Sequence, residues 1–315
     1  MTARLVMKLT VAAVRRETDE VMHLELRHPR RPQLPPPSPG AHVDVHLPDG
    51  RIRQYSLCGD PDDAGAYRIA IKREAPGRGA SRWLHAHVEA GMAIGVSAPR
   101  NNFPLAAGAA RHVFVAGGIG VTPFVPMAQA ALRRGESVTL HYCARSEATA
   151  PLLGAVRSIE GLALHTWFGD TVPRVRFDAA ALPPPEPGMH LYCCGPARLI
   201  DAVRDATAHW PDAQRHFEVF QPTLDEHFKP EPFDVTVAST GQTLRVPADR
   251  SALAVLREHG LSLPSSCELG VCGACECGYR DGVVIHRDVV LGPAARQDRM
   301  MLCVSRARGG VTLDL

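Results

Sequence analysis

Apolar side chains recur along this chain with two different periods, and the change between them divides it. From Val6 to about Leu105 the period is two. Met22, Leu24 and Leu26 alternate with polar neighbours, as do Val43, Val45 and Leu47, then Ile69 and Ile71, then Ile94 and Val96. Pro48-Asp49-Gly50 supplies a turn into the segment Arg51 to Leu57. The Pro-rich stretch Pro32 to Pro39 predicts a rigid surface connection with no helix or ladder of its own. A short helix is expected from Ser81 through Val88, with the Ser81 hydroxyl as its cap. Short strands with frequent turns predict a small antiparallel β-barrel.

From Arg111 to about Phe220 the pattern changes. Strand-like runs His112 to Ala116, Ser137 to Cys143, Leu162 to Phe168, His190 to Cys194 and His216 to Phe220 alternate with helix-like runs after Thr122, Ala148 and Ala197. Strands alternating with helices predict an α/β doubly wound parallel sheet. His112 to Leu132 carries no Asp, Glu, Lys or Arg over a length that could span a bilayer. Gly117, Gly118, Gly120, Pro123 and Pro126 break it into a strand, a glycine turn and a helix, so no membrane span is expected. Gln221 to Pro232 reads as a linker. Beyond it Val235 and Val237 face Leu244 and Val246 across a turn at Ser239 to Gly241, and a helix from Ser251 ends at Gly260. Three domains are expected, at 1–107, 108–224 and 225–315.

Composition narrows the function classes. The 315 residues carry a net charge of +2 with no block of like charge, which gives no argument for nucleic acid or an anionic membrane surface. Nine cysteines and no charged-then-apolar leader predict a reducing, cytoplasmic setting. A monomer is expected.

Four of those cysteines carry the strongest chemistry. Cys267, Cys272, Cys275 and the distant Cys303 read C-x4-C-x2-C and then one more, the plant-type spacing for a [2Fe–2S] cluster. Three thiolates on one loop wrap two irons from one side, and a fourth from a remote segment closes the site. Gly270 and Gly273 remove side chains where the backbone must bend around the cluster and aim N–H groups at its sulfurs. The rival, a structural zinc site, more usually shows two short C-x2-C pairs. Cys277 has no vacancy to fill and reads as a small buried residue. The preceding hairpin and helix are in the order expected of an α+β ferredoxin-type β-grasp domain.

Two further constellations suit phosphates and rings. In the first part, Arg53-Gln54-Tyr55-Ser56 resembles the R-x-Y-S motif of the ferredoxin-reductase-like flavoproteins. Arginine offers a planar fork to a phosphate, an aromatic lies along a ring system, and a hydroxyl can donate to the flavin N5 region. Lys72, followed by Gly77-Arg78-Gly79-Ala80-Ser81 at a helix start, makes a phosphate cradle. In the second part, Ala116 to Pro123, with Gly117, Gly118, Gly120 and Thr122, joins the first strand to its helix. Glycines there let the backbone approach a pyrophosphate. Cys193-Cys194-Gly195-Pro196 ends a strand where a parallel sheet presents ligand-binding groups.

With these motifs in this order, the chain resembles the phthalate dioxygenase reductase and vanillate demethylase reductase family. Pro99-Arg100-Asn101-Asn102-Phe103, Phe217-Glu218-Val219-Phe220 and His286-Arg287-Asp288 are further family-like matches. The resemblance implies FMN, NADH and a [2Fe–2S] cluster, and a Rieske-type oxygenase as the protein electron acceptor. It places Cys194 near the nicotinamide, with Ser56, and stacks Phe220 on the isoalloxazine. It also brings Arg145-Ser146 to the adenosine half, although a solvated loop reads as well. The expected reaction is hydride transfer from NADH to FMN, then single electrons to the cluster and out. Two alternatives remain, a reductase serving a cytochrome P450 and a non-catalytic nucleotide-sensing module with a zinc site.

Overall fold

The computed structural model describes residues 5–74, 79–171, 176–220, 225 and 227–315. They form two compact units, Met1–Glu218 and Val219–Leu315. The first begins with six strands, β1 (Val6–Arg16), β2 (Val21–Arg27), β3 (His42–His46), β4 (Ile52–Ser56), β5 (Tyr67–Lys72) and β6 (Ala93–Ser97). Their order is β4-β3-β6-β1-β2-β5, and every pairing is antiparallel. A bridge between Leu57 and Ile69 ties the β4 side back to β5, so the sheet closes into a barrel. The alternating residues fill it: Leu24, Leu26, Val43, Val45, Ile69 and Val96 are fully enclosed.

Two local expectations change. The helix α1 (Ala80–His87) starts one residue early and has Gly79, not Ser81, at its cap. The Ser81 hydroxyl instead accepts from the Glu74 N–H at 3.1 Å, so it serves the strand-to-helix link. The helix is held by packing, since Ala80, Leu84 and Val88 recur every four residues and join the barrel core. The Pro32–Pro39 stretch has neither helix nor strand, as its prolines require. It is pinned to the barrel rather than lying on it, because Leu34 is buried and the Tyr67 hydroxyl donates to Pro35 O at 2.6 Å.

The same unit continues with five parallel strands, β7 (Arg111–Gly117), β8 (Ser137–Ala144), β9 (Ala163–Phe168), β10 (Met189–Cys194) and β11 (Arg215–Glu218), in the order β11-β10-β7-β8-β9. The chain winds outward from β7 in both directions, which puts the topological switch between β7 and β10. Helix α2 (Phe124–Arg133) packs on one face, where Phe124 stacks on Phe114 with centroids 4.9 Å apart. The helix expected after Ala148 is only α3 (Leu153–Arg157). Pro151 and a left-handed Leu152 (φ 57) delay its start. Helix α4 (Ala197–Ala206) follows β10.

The link between barrel and sheet is built from the Pro99–Phe103 segment. Arg100 donates to the buried Asp44 carboxylate at 2.7 Å. Asn101 donates to Ser38 Oγ and Pro39 O and accepts from Phe103 N. Phe103 then packs edge-on against Tyr192, whose hydroxyl accepts from Ala106 N at 2.7 Å.

The second unit holds β12 (Phe233–Val237), β13 (Thr243–Val246), α5 (Ala252–Glu258), β14 (Glu276–Ile285), β15 (Arg299–Met301) and β16 (Arg306–Leu313). The strands form a mixed sheet ordered β13-β12-β16-β14-β15, with β12 parallel to β16. Ser251 caps α5, its hydroxyl accepting from Ala254 N at 3.2 Å. Leu253, Val255 and Leu256 close over the sheet core with Phe233, Val235 and Met301. The architecture is thus an antiparallel barrel, a five-stranded parallel sheet with helices, and a mixed sheet of the β-grasp type.

Candidate functional site

The cysteine loop lies between α5 and β14. Gly270 (φ 74) and Gly273 (φ 71) adopt the left-handed backbone that bends it. A side chain on Gly270 would meet Val304 Cγ2 at 2.6 Å and Asp288 Cα at 3.1 Å, so the loop is pressed against the segments that follow β15 and β14. The latter segment is fixed by Asp288, which is buried and accepts from Val290 N and Leu291 N at 3.1 and 2.8 Å. Val289 N donates to Gly270 O at 3.1 Å.

The four thiols form two pairs. Cys267 is drawn down to about 6, first by its hydrogen bond with Cys272 and then, against desolvation, by the backbone N–H groups of Leu269, Val271 and Gly270. Cys275 is lowered in the same way by Cys303. The donors of the two pairs, Cys272 and Cys303, are raised. Leu269 N donates to Cys267 Sγ at 3.3 Å and Ala274 N to Cys272 Sγ at 3.4 Å. Among the described residues no three His, Cys, Asp or Glu side chains gather as one metal ion would need. Four thiols in two pairs, with the Leu269 and Ala274 N–H groups on the sulfurs of one of them, fit the four-thiolate donor set that would hold a [2Fe–2S] cluster. Cys277 stays apart in the core of β14 and donates to Gly278 O at 3.2 Å.

In the barrel, β4 places Arg53 and Tyr55 on one face and Gln54 and Ser56 on the other, because side chains alternate. Tyr55 packs against the barrel core and its phenol is raised by burial. Ser56 is buried opposite His42 on β3. At the start of α1, Gly79 (φ 80) lies within reach of two cations: a side chain there would stand 2.9 Å from Arg51 Nη1 and 3.8 Å from Arg82 Nη2. Gly77 and Arg78 lie outside the described residues. Arg51, held by Asp49 at 2.8 Å, and Arg82 were not singled out by the sequence reading. Arg82 sits in the first turn of the helix and could have been found there. Lys72 ends β5 opposite Val21 and acts on Glu20, on the β1–β2 side.

At the switch point two strand ends interlock. A side chain on Gly120 would strike Cys194 O at 2.3 Å, and one on Gly117 would strike Pro196 Cδ at 2.5 Å. One on Gly195 would meet Gly117 Cα at 2.9 Å. Gly118 differs: its φ is 53 and nothing lies within 4 Å of where a side chain would be. The turn therefore presents open backbone at a parallel-sheet switch, the arrangement that accepts a pyrophosphate. The Thr122 hydroxyl donates back to Ile119 O at 2.9 Å and so braces the turn.

The parallel register sets Cys194 opposite Glu218. Cys194 is fully buried and its thiol lies 3.8 Å from Glu218 Oε2 as donor. Desolvation raises the thiol well above its ordinary range and pushes Glu218 up to about 8. Glu218 stands in the Phe-Glu-Val-Phe run, yet only the strand pairing reveals its partner. Its folded-state proton affinity exceeds the unfolded one near 4.5, so the folded protein binds more protons between the two values. The Glu218 contribution to stability is expected to fall as pH rises from about 4.5 to about 8 and then to level, while His42, His141 and His216, each held down to about 4 by burial, contribute in the opposite sense between about 4 and 6.5. Relative to the wild type, Glu218→Gln should therefore gain stability progressively as pH rises from about 4.5 to about 8 in thermal unfolding; a difference that does not change with pH would remove Glu218 as a source.

Arg145 follows β8 and pairs with Glu20 Oε1 at 2.9 Å. Phe220 lies two residues past β11, in the second unit. Among the described residues no helix is long and apolar enough to cross a membrane.

Comparisons with known proteins fit this geometry. Residues 235–308 match the family model of the 2Fe-2S iron-sulfur cluster binding domain. The chain is 42% identical over 305 residues to the phthalate 4,5-dioxygenase oxygenase reductase subunit of Pseudomonas putida, covering 94% of this chain and 92% of that protein. A solved phthalate dioxygenase reductase, described as modular for electron transfer from pyridine nucleotides to [2Fe–2S], aligns with a TM-score of 0.74 at 37% identity, over 99% of this chain and 98% of that one. An intact type IV self-sufficient cytochrome P450 monooxygenase aligns with a TM-score of 0.87 at 39% identity, over 98% of this chain and 41% of that one. A flavin barrel, a nucleotide sheet and a paired-thiol ferredoxin loop in one chain, at this identity and coverage, make it a member of the phthalate dioxygenase reductase family of flavin and iron–sulfur oxidoreductases.

Proposed function

We propose that this chain draws electrons from NADH and delivers them singly to a separate Rieske-type oxygenase. The observation that carries the reading is the gathering of three thiols of the cysteine loop with Cys303, beyond β15, into two pairs that would hold a one-electron centre, in a chain that also has a glycine turn suited to a dinucleotide. When bound, FMN supplies a centre that takes a hydride and releases electrons one at a time, and the [2Fe–2S] cluster supplies one that takes them singly.

The residues divide the work. Arg53, Tyr55, Ser56, Gly79 and Ser81 would hold the flavin, with Arg51 and Arg82 adding positive charge at the start of α1, where backbone N–H groups also favour an anion. Lys72 adds charge from the end of β5. Gly117, Gly118, Gly120 and Thr122 would cradle the NADH pyrophosphate, and Arg145 would meet its adenosine half. Cys194, Gly195 and Pro196 would line the nicotinamide. At neutral pH the buried Cys194 keeps its proton and most of Glu218 is protonated, so the pair presents an uncharged wall. Phe220 would cover the flavin ring and yield to nicotinamide. Cys267, Cys272, Cys275 and Cys303 would hold the cluster, at the point where electrons leave.

The domain limits 1–107, 108–224 and 225–315 follow from this division. The similarity to a self-sufficient P450, whose own chain is more than twice as long, favours a haem monooxygenase as the second candidate acceptor. Reconstitution tests the choice. With NADH and this protein, a Rieske oxygenase is expected to turn over, and a P450 to be reduced at least about tenfold more slowly. Faster reduction of the P450 would overturn the Rieske assignment.

A further inference from the structure

We propose that Glu20, in the turn between β1 and β2 of the barrel, determines the choice between NADH and NADPH by occupying Arg145; the proposal rests on the nicotinamide reading above. The turn is rigid. The Thr18 hydroxyl accepts from Glu20 N and Val21 N at 3.3 and 3.1 Å, and Glu17 N and Thr18 N donate to Val21 O. It grips the loop after β8 at two places. Glu17 Oε1 accepts from Leu152 N at 2.9 Å, and Glu20 Oε1 pairs with Arg145 Nη2 at 2.9 Å. The loop itself is braced, since Ser146 N donates to Thr149 Oγ1 and Thr149 N to Ser146 Oγ. Arg145 is therefore presented to Glu20 by two ordered segments.

The position matters because the end of the second strand of a dinucleotide-binding sheet is where the adenosine ribose is read. A carboxylate there accepts from the 2′-hydroxyl of NAD, and an arginine accommodates the 2′-phosphate of NADP. This chain holds both residue types at that place, one from the sheet and one from the barrel, already joined. The carboxylate can accept from a 2′-hydroxyl while Arg145 orients it. A 2′-phosphate would have to break the ion pair and then stand beside the carboxylate it displaced. Lys72 and Arg73 also act on Glu20, which the three cations together hold below the usual carboxylate range. Without the Glu20 charge, Arg145, Lys72 and Arg73 would present a more cationic surface, better suited to a phosphate.

Kinetics of the holoenzyme with each dinucleotide test this. Glu20→Gln is expected to raise kcat/KM for NADPH relative to NADH by about tenfold, what one charge-assisted hydrogen bond to a phosphate supplies, chiefly through the KM for NADPH. Combining it with Arg145→Ala should abolish the gain. Glu17→Ala, which removes the acceptor of Leu152 N at the other end of the loop and leaves the Glu20–Arg145 pair in place, should leave the ratio within about twofold. Competitive inhibition by 2′,5′-ADP and 5′-ADP separates the two levels of the claim. The 2′,5′-ADP should tighten in Glu20→Gln while 5′-ADP does not. An unchanged ratio, with both nucleotides still inhibiting, would overturn the role of Glu20 alone. Failure of both to inhibit the wild-type protein would overturn the nicotinamide reading and this proposal with it.

Discussion

Replacing Cys272 by serine is expected to abolish the iron–sulfur absorption and cut NADH-driven reduction of cytochrome c by at least about a hundredfold, while NADH still bleaches the flavin. Loss of a group that merely orients a metal ligand costs about 10- to 100-fold, so loss of a ligand should cost more. Cys272 is the partner of Cys267 in one thiol pair, and Ala274 N donates to its sulfur at 3.4 Å. Serine keeps the size and the N–H acceptor but is a hard oxygen donor, poorly matched to an iron–sulfur site. The residues proposed to hold the flavin and the nucleotide lie in the other compact unit, except Phe220, and hydride transfer should continue there. If cytochrome c reduction survived intact, the cysteine loop would not be on the electron path.

The second large effect is expected at Gly120. A methyl group there would lie 2.3 Å from Cys194 O, 2.6 Å from its carbonyl carbon and 2.8 Å from Gly195 N. All three are backbone atoms, so no flexible side-chain end can move aside. Overpacking usually costs about 1–3 kcal/mol, and backbone against backbone belongs at the top of that range. For a unit of this size, Gly120→Ala should lower the thermal midpoint by about 6–12 °C. The KM for NADH should rise as well, since the displaced strand end carries Cys194 and Gly195. Gly118→Ala is the comparison. Its methyl group meets nothing, and the left-handed φ of 53 alone costs about 1–2 kcal/mol. A loss at Gly120 no larger than that at Gly118 would show that the two strand ends give way to the methyl group and would remove their interlock as a large cost.

These two sites also show what could be read before the fold was known. The cysteine spacing, the switch from a period of two to strands alternating with helices, and the glycine turn are all local patterns, and the barrel, parallel sheet and β-grasp follow from them. The partnerships are not local. Glu218 meets Cys194 because β10 and β11 pair in one register, across 24 residues. Glu20 meets Arg145 because a barrel turn reaches a loop of the nucleotide sheet. Arg51 reaches Gly79 because a loop before β4 lies beside the start of α1. Ser81 was assigned to the helix cap on residue type, but the Glu74 N–H needed its oxygen more than the helix did. Helix α3 is short because proline and a left-handed leucine delay it, a local signal that the apolar pattern masked.

The proposed function requires one chain to hold both a two-electron entry and a one-electron exit. The most direct test is an anaerobic titration of the purified protein with NADH, followed by visible absorption and electron paramagnetic resonance. The expected result is joint bleaching of flavin and iron–sulfur bands, with the signal of a reduced [2Fe–2S] cluster growing as NADH is added. A protein that contains zinc in place of iron, or whose iron–sulfur signal does not respond to NADH while the flavin does, would contradict it.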